Sequence, residues 1–267
     1  MNSRILMVKP GARVKLVDRY ADNTHGYTRE QATQEVVAYR ARMAELQELL
    51  YAERKHALLI VLQAMDAGGK DGTIRTVMSG VNPQSCQVTS FKAPTPEELG
   101  HDFLWRVHKA CPIKGNIGIF NRSHYEDVLI VRVRKLVPKD VWSKRYEYIN
   151  VFERVLADSG VKVLKFFLHI SKDEQKQRFE QRLKDPTKIW KANPADIEER
   201  KHWDDYMAAH EDALRKCSTQ VAPWYVIPAN KKWFRNMVVS QIIVEALESL
   251  LMKYPKPTFD PSKILIK

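Results

Sequence analysis

ALLIVLQ, Ala57–Gln63, followed directly by AMDAGGKDGT, residues 64–73, is the stretch of this 267-residue chain that decides the fold. The first part is aliphatic almost without interruption, as a parallel strand covered on both faces must be. The second part is rich in glycine, and a helical pattern then runs over 70–79. A strand that enters a helix through a glycine-rich turn leaves the first N–H groups of the helix unpaired, and such groups bind phosphate. Ala67, Gly68, Gly69, Lys70, Asp71, Gly72 and Thr73 are therefore the expected phosphate cradle. Against the pattern GxxxxGK[ST], Gly69 and Lys70 match, but Ala64 stands at the first glycine and Asp71 at the hydroxyl position. Asp66 offers a carboxylate in place of the missing metal-ligating hydroxyl, while Lys70 acts on the phosphates as a point charge.

Upstream of this loop, 30–57 contains neither proline nor glycine and spaces Val36, Val37, Met43, Leu46, Leu49 and Leu50 as one long amphipathic helix. Downstream, further strands are expected at 88–91, 116–120, 161–170 and 224–228. Thr95, Pro96 and Glu98 supply an N-cap, a first-turn proline and a capping-box glutamate for a helix over 96–110. A helical region interrupted at Pro138 continues to Gly160, and Ser171 with Glu174 forms a second capping box. Strands alternating with helices predict an α/β fold in three layers, a central, mostly parallel sheet with helices on both faces. The expected division is an N-terminal segment and long helix over 1–56, a catalytic unit over 57–252 with a helical lid at about 172–216, and an extended tail over 253–267.

Composition limits the function classes. Hydrophobic residues make up 44% of the chain, enough for a substantial core, and the formal net charge of +12 favours polyanionic partners. The three cysteines, Cys86, Cys111 and Cys217, form no CxxC pair, which argues against a disulfide framework or a zinc cluster and fits a reducing cytoplasm. Arg4, Lys9, Arg13 and Lys15 interrupt the apolar residues of the N-terminus, so no signal peptide is expected. The apolar stretch 238–252 is broken by Ser240, Gln241, Glu245, Glu248 and Ser249 and reads as a core helix, so no membrane partner is expected.

FNRSHYED, residues 120–127, lies at the carboxyl end of an expected strand, where open parallel sheets gather ligand-binding residues. Arg122 suits a phosphate clamp, and Glu126 and Asp127 are both candidate magnesium ligands or bases. A third region is basic, with Arg178, Arg182, Lys184, Lys188, Lys191, Arg200 and Lys201 around Pro186 and Pro194. It reads as a helical hairpin able to close over phosphates, and Arg178 and Arg182 share one helix face. The histidines His101, His108, His202 and His210 lack metal-ligand spacing, and Trp190 and Trp233, which could stack on a base, read rather as packing residues. No aromatic-rich or helix-turn-helix signature for a specific nucleic acid is present.

In order, LQAMDAGGKDGT, FNRSHYEDVL, LKFFLHISKDEQ and APWYVIPANKKWFRN resemble the polyphosphate kinase 2 family over about 46–251. The resemblance implies a P-loop kinase-like fold related to thymidylate kinases, with a lid. It also implies magnesium-dependent transfer of phosphoryl groups between inorganic polyphosphate and nucleoside mono-, di- and triphosphates, with manganese as an alternative metal. The FNRSHYED form resembles the branch that acts on nucleoside diphosphates and monophosphates. Carried over by motif, Asp66 is the metal-binding acid, Lys70 and Arg122 bind and activate phosphate, and Arg178 and Arg182 are lid arginines. Asn121 stands where other branches place aspartate, which leaves Glu126 and Asp127 as the alternatives for the second metal carboxylate. The competing readings are an ATP-dependent nucleotide or nucleoside kinase and a non-catalytic polyanion binder. The N-terminal helix is the expected surface for a homo-oligomer.

Overall fold

β1 (Ala57–Gln63) is buried along its whole length at the centre of a five-stranded sheet. The structure, a computed structural model, describes residues 1–264. The strand order is β2 (Cys86–Ser90), β3 (Ile117–Asn121), β1, β4 (Val161–His169), β5 (Trp224–Pro228), and every pairing is parallel. The helices are α1 (Arg29–Glu53), α2 (Lys70–Val77), α3 (Pro96–Leu99), α4 (Trp105–Ala110), α5 (Ile130–Val133), α6 (Lys139–Trp142), α7 (Arg145–Asp158), α8 (Lys172–Lys184), α9 (Pro194–Glu199), α10 (Trp203–Cys217) and α11 (Lys232–Glu248).

Alternation along β1 divides the interior into two layers. Leu58, Ile60 and Leu62 pack with Leu46 and Leu50 of α1 and Phe234, Val238 and Ile242 of α11. Leu59 and Val61 point the other way, toward Ile149 and Phe152 of α7 and Ala213 and Leu214 of α10. Each such aliphatic side chain contributes about 2 kcal/mol on burial. The three-layer α/β reading is borne out, and the sheet is more regular than "mostly parallel". Among the described residues its one antiparallel feature is a bridge from Met7 to Tyr225, beside which the Val8 N–H donates to the Trp224 carbonyl at 2.8 Å. The N-terminal segment thus covers the β5 edge, which would otherwise expose unpaired backbone groups.

Most expected boundaries shift by one or two residues, and three helical regions depart further. α1 ends at Glu53 rather than 57, because Arg54 adopts a left-handed conformation at φ 53° and turns the chain toward β1. The predicted helix over 96–110 is two helices. The Thr95–Glu98 capping box forms, but Gly100 closes α3, and the Asp102 carboxylate accepts the Leu104 N–H at 2.9 Å ahead of α4. The region after β3 begins as a 3-10 turn over His124–Val128, and Pro138 is the N-cap of α6. No helix among the described residues is long and apolar enough to cross a membrane. In the tail, 253–260 has neither helix nor strand, a 3-10 turn covers Pro261–Lys263, and the expectation for 265–267 lies outside the described residues.

Candidate active site

β1 and β3 end side by side, Leu62 opposite Asn121, so the loops that follow them leave the sheet together. This is the crevice at the carboxyl ends of the strands where the sheet order reverses. From Gln63 the chain turns through Ala67, at φ 60°, and Gly69, at φ 99°, into α2. A Cβ at Gly68 would stand 2.4 Å from that of Ala64, and one at Gly69 would stand 2.1 Å from a guanidinium nitrogen of Arg235. Close approach demands glycine at 68, and the backbone conformation at φ 99° demands it at 69. The loop carbonyls are occupied: Gln175 Nε2 donates to Asp66 and Arg178 Nη1 to Ala67, each at 2.9 Å. Gly69 accepts from the Thr73 N–H at 2.9 Å and from the Thr73 hydroxyl at 3.0 Å. The N–H groups of Lys70, Asp71 and Gly72, in the first turn of α2, are left for a ligand.

Arg122 is a second strained residue, at φ 63°, a conformation that costs a side-chain-bearing residue about 1–2 kcal/mol. Its N–H donates to the Leu62 carbonyl at 3.1 Å. Its guanidinium donates to Asp66 Oδ1 at 2.9 Å and lies 3.9 Å from Glu126. The next residue, Ser123, accepts from the Gln63 amide at 3.1 Å, which joins the end of β1 to the turn after β3. Below that turn lies a fully buried cluster. Lys165 Nζ donates to Glu153, to the Tyr125 hydroxyl at 2.8 Å and to the Cys217 carbonyl at 2.6 Å. Glu153 also accepts from the Tyr125 hydroxyl at 2.8 Å and meets His124 Nε2 at 3.2 Å. The motif residues His124 and Tyr125 therefore anchor the strained turn in the core, the usual way such strain persists at a functional site.

The cleft above these loops measures about 390 Å³. Its described lining has nine cationic side chains (Lys70, Arg75, Arg122, Arg178, Arg182, Lys188, Lys191, Lys232, Arg235) against Asp66, Asp71 and Asp196, so it is built for a multiply charged anion. Burial, then Arg122, pushes the Lys70 ammonium below its ordinary range, and its Nζ donates to the Ala64 carbonyl at 3.3 Å. Burial would raise Asp71, but the Asn121 amide at 2.8 Å and Lys191 at 3.5 Å hold its carboxyl below the usual range. A second chamber of about 270 Å³ opens on the other side of the Asp66–Arg122 pair and adds Glu126, Glu199, Tyr206 and His210.

Of the residues expected from sequence, Asp66, Ala67, Gly68, Gly69, Lys70, Asp71, Gly72, Arg122, Arg178 and Arg182 line one cleft. Thr73 is buried behind the loop. Glu126 faces the adjoining chamber with Asp66. Asp127 reaches neither space: its carboxylate accepts from Arg145 at 2.7 Å, and burial raises its pKa to about 6 against the pull of Arg145. Arg178 lines the cleft as a brace rather than a free clamp, with donors on Glu174, Ala67, Ala229 and Asn230. Arg75, Asp196, Lys232 and Arg235 join the lining without having been singled out. For the last two a signal existed, since NKKWFRN follows the carboxyl end of the fifth strand as the other two site loops follow theirs. Among the described residues no three His, Cys, Asp or Glu side chains form a metal cluster. Two carboxylates on one crevice suit a hard cation that keeps waters and takes its other oxygens from phosphates.

A parallel sheet with a glycine loop at the start of a helix, opening on a cationic cleft, defines a P-loop kinase-like phosphotransferase. The family model for polyphosphate kinase 2 matches residues 26–255, and the chain belongs to that family. It is 55% identical over 262 residues, 97% of this chain and 98% of the other, to the AMP/ADP-polyphosphate phosphotransferase of Meiothermus ruber. It is 52% identical to the ADP-polyphosphate phosphotransferase of Rhodopseudomonas palustris, over 81% of this chain and 79% of that one. The crystal structure of polyphosphate kinase 2 from Arthrobacter aurescens TC1 superposes with a TM-score of 0.91 at 45% identity, covering 96% of this chain and 95% of that one.

Proposed function

We propose that this chain transfers the terminal phosphoryl group of inorganic polyphosphate, reversibly, to ADP, GDP and AMP. The observation that carries this reading is the cationic cleft at the glycine loop, whose described lining has nine cations against three acids. That surplus exceeds what a nucleotide's own phosphates require and suits a longer phosphate chain. The names of the relatives, which specify polyphosphate with AMP or ADP, support the same reading. An ATP-dependent kinase and a passive polyanion binder have no such support.

In this mechanism an acceptor phosphate oxygen attacks the terminal phosphorus in line. The new P–O bond forms as the anhydride bond breaks, and the shortened chain leaves with the electron pair. The first-turn N–H groups of α2 and Lys70 hold the donor phosphates, and Arg122 offsets charge on the transferred group. Asp66 fixes the Arg122 guanidinium at 2.9 Å, so both reach the reacting centre from a rigid base. Asp66 and Glu126 are the residues that would hold magnesium, or manganese in its place, and the ion would neutralise phosphate charge. Segment 172–216 acts as the lid, with Arg182, Lys188 and Lys191 at its cleft side. The enzyme works in the cytoplasm as a homo-oligomer, with no specific nucleic-acid or membrane partner.

The test supplies polyphosphate, magnesium and ADP or AMP without ATP. The expected product is ATP from ADP, and ADP then ATP from AMP, at the expense of polymer. Formation of nucleotide product only when ATP is supplied contradicts the proposal. Lys70→Ala is expected to lower kcat by about a hundred-fold or more while circular dichroism stays unchanged; a variant with wild-type turnover would remove Lys70 from the site.

A further inference from the structure

Arg235 occupies the second turn of α11 and is only 2% exposed, yet its guanidinium lines the phosphate cleft. The other cleft arginines that approach the loop from β3 and α8 have carboxylate partners: Arg122 with Asp66 at 2.9 Å, Arg178 with Glu174 at 2.7 Å, Arg182 with Asp196 at 4.0 Å. Arg235 differs. Its Nε and Nη2 donate to the neutral Asn236 side chain at 3.1 and 2.8 Å, and no carboxylate pairs with it among the described residues. Its Nη1 presses on Gly69, and the Arg178 guanidinium approaches the same point, 3.5 Å from where a Gly69 Cβ would stand. Lys232, one turn earlier on α11, adds a further cation to this end of the cleft.

A buried cation facing other cations is unfavourable unless an anion is supplied. No described residue supplies one, and the open side of the guanidinium is the cleft. We infer that Arg235 holds a phosphate of the donor chain at the Gly69 end of the cleft, and that its unpaired charge burdens the free protein until that phosphate binds. This deepens the proposed function and rests on it for the identity of the donor. The depressed basicity of the guanidinium, which burial and then Arg178 push down to about 9, is what an unrelieved charge of this kind produces. Gly69 belongs to the same device, since any side chain there would displace Arg235. Because the charge is relieved only in the complex, phosphate binding and thermal stability are linked through this residue.

A phosphate chain can come from polyphosphate or from a nucleotide tail, so the test has two arms. Thermal unfolding of the full chain is measured alone, with tripolyphosphate and with ADP, for the wild type and for Arg235→Met, which keeps volume and removes charge. Without phosphate, Arg235→Met is expected to unfold at or above the wild-type temperature. It is expected to lose most of the tripolyphosphate-induced rise and to raise the KM for polyphosphate about ten-fold or more, with the KM for ADP changed less than about two-fold. A variant that melts lower without phosphate, or fails to fold, overturns the proposal, because the charge would then stabilise the free protein. An unchanged tripolyphosphate shift overturns it as well. Loss of the ADP shift with the tripolyphosphate shift retained overturns the assignment to the donor chain. The melting shifts need no turnover, so an absence of nucleotide product would contradict the proposed function while leaving this result readable.

Discussion

Arg178 lines the cleft and at the same time braces the backbone around it. Its Nη1 holds the Ala67 carbonyl at 2.9 Å, and its Nη2 reaches the Ala229 and Asn230 carbonyls at 2.7 and 3.2 Å. Truncating it strands those acceptors, each at about 1–3 kcal/mol, so Arg178→Ala is expected to lose about 3 kcal/mol of stability together with turnover. Urea unfolding alongside kcat checks this, and lost turnover at an unchanged midpoint would make Arg178 a ligand contact instead. His210 sets a different kind of dependence. Burial first, then Lys70 and His169, push its imidazole down to about 3 from 6.5. The unfolded chain therefore takes up a proton that the folded chain refuses. Stability from this group is full above pH 6.5 and falls as pH drops from 6.5 toward 3, by about 1.4 kcal/mol per unit within that window. Urea midpoints compared at about pH 7 and pH 5 are expected to fall more steeply in the wild type than in His210→Gln, and parallel slopes would contradict the assignment.

At the scale of elements, the strained Arg122 turn depends on three segments brought together below it: β4 through Lys165, α7 through Glu153 and the end of α10 through the Cys217 carbonyl. Lys165→Met leaves the Glu153 charge uncompensated and is expected to cost about 3–5 kcal/mol, whereas adding Glu153→Leu restores much of that loss. A double-mutant cycle by urea denaturation measures the coupling, and strictly additive losses would show the pair to be uncoupled. This cluster was not legible in the sequence. Lys165 interrupts VKVLKFFLHI as a solvent-facing lysine would, and its partners come from elements that no local pattern relates to it. The β1 strand and its glycine loop were legible because an unbroken aliphatic run followed by closely spaced glycines leaves few alternatives. Helix ends were less so: Gly100 and Asp102 outweighed the continuing helical pattern after Thr95, and Arg54 stopped α1 with neither glycine nor proline to announce it. The spacing of Arg178 and Arg182 revealed a shared face but not that the first would turn to loop carbonyls and the second toward Asp196. For Arg235 the positional signal in NKKWFRN was outweighed by Phe234 and Val238, which mark α11 as a core helix.

The whole molecule arranges its surplus charge unevenly. Two apolar layers fix a parallel sheet, the sheet brings the loops after β1 and β3 to one edge, and α8, the segment between α8 and α9, and α11 contribute cations from the remaining sides. The net charge of +12 thus has a specific destination in the cleft rather than serving only solubility. A passive binder would need the same cations but not the Asp66–Arg122 pair held over a glycine loop at a helix start. The most direct test of transfer is to give the protein uniformly radiolabelled polyphosphate with unlabelled ADP and magnesium, then separate nucleotides, polymer and protein. Label is expected in the γ-phosphate of newly formed ATP, with none retained covalently on the chain. Label found only in inorganic phosphate and residual polymer, with the nucleotides unlabelled, would contradict it.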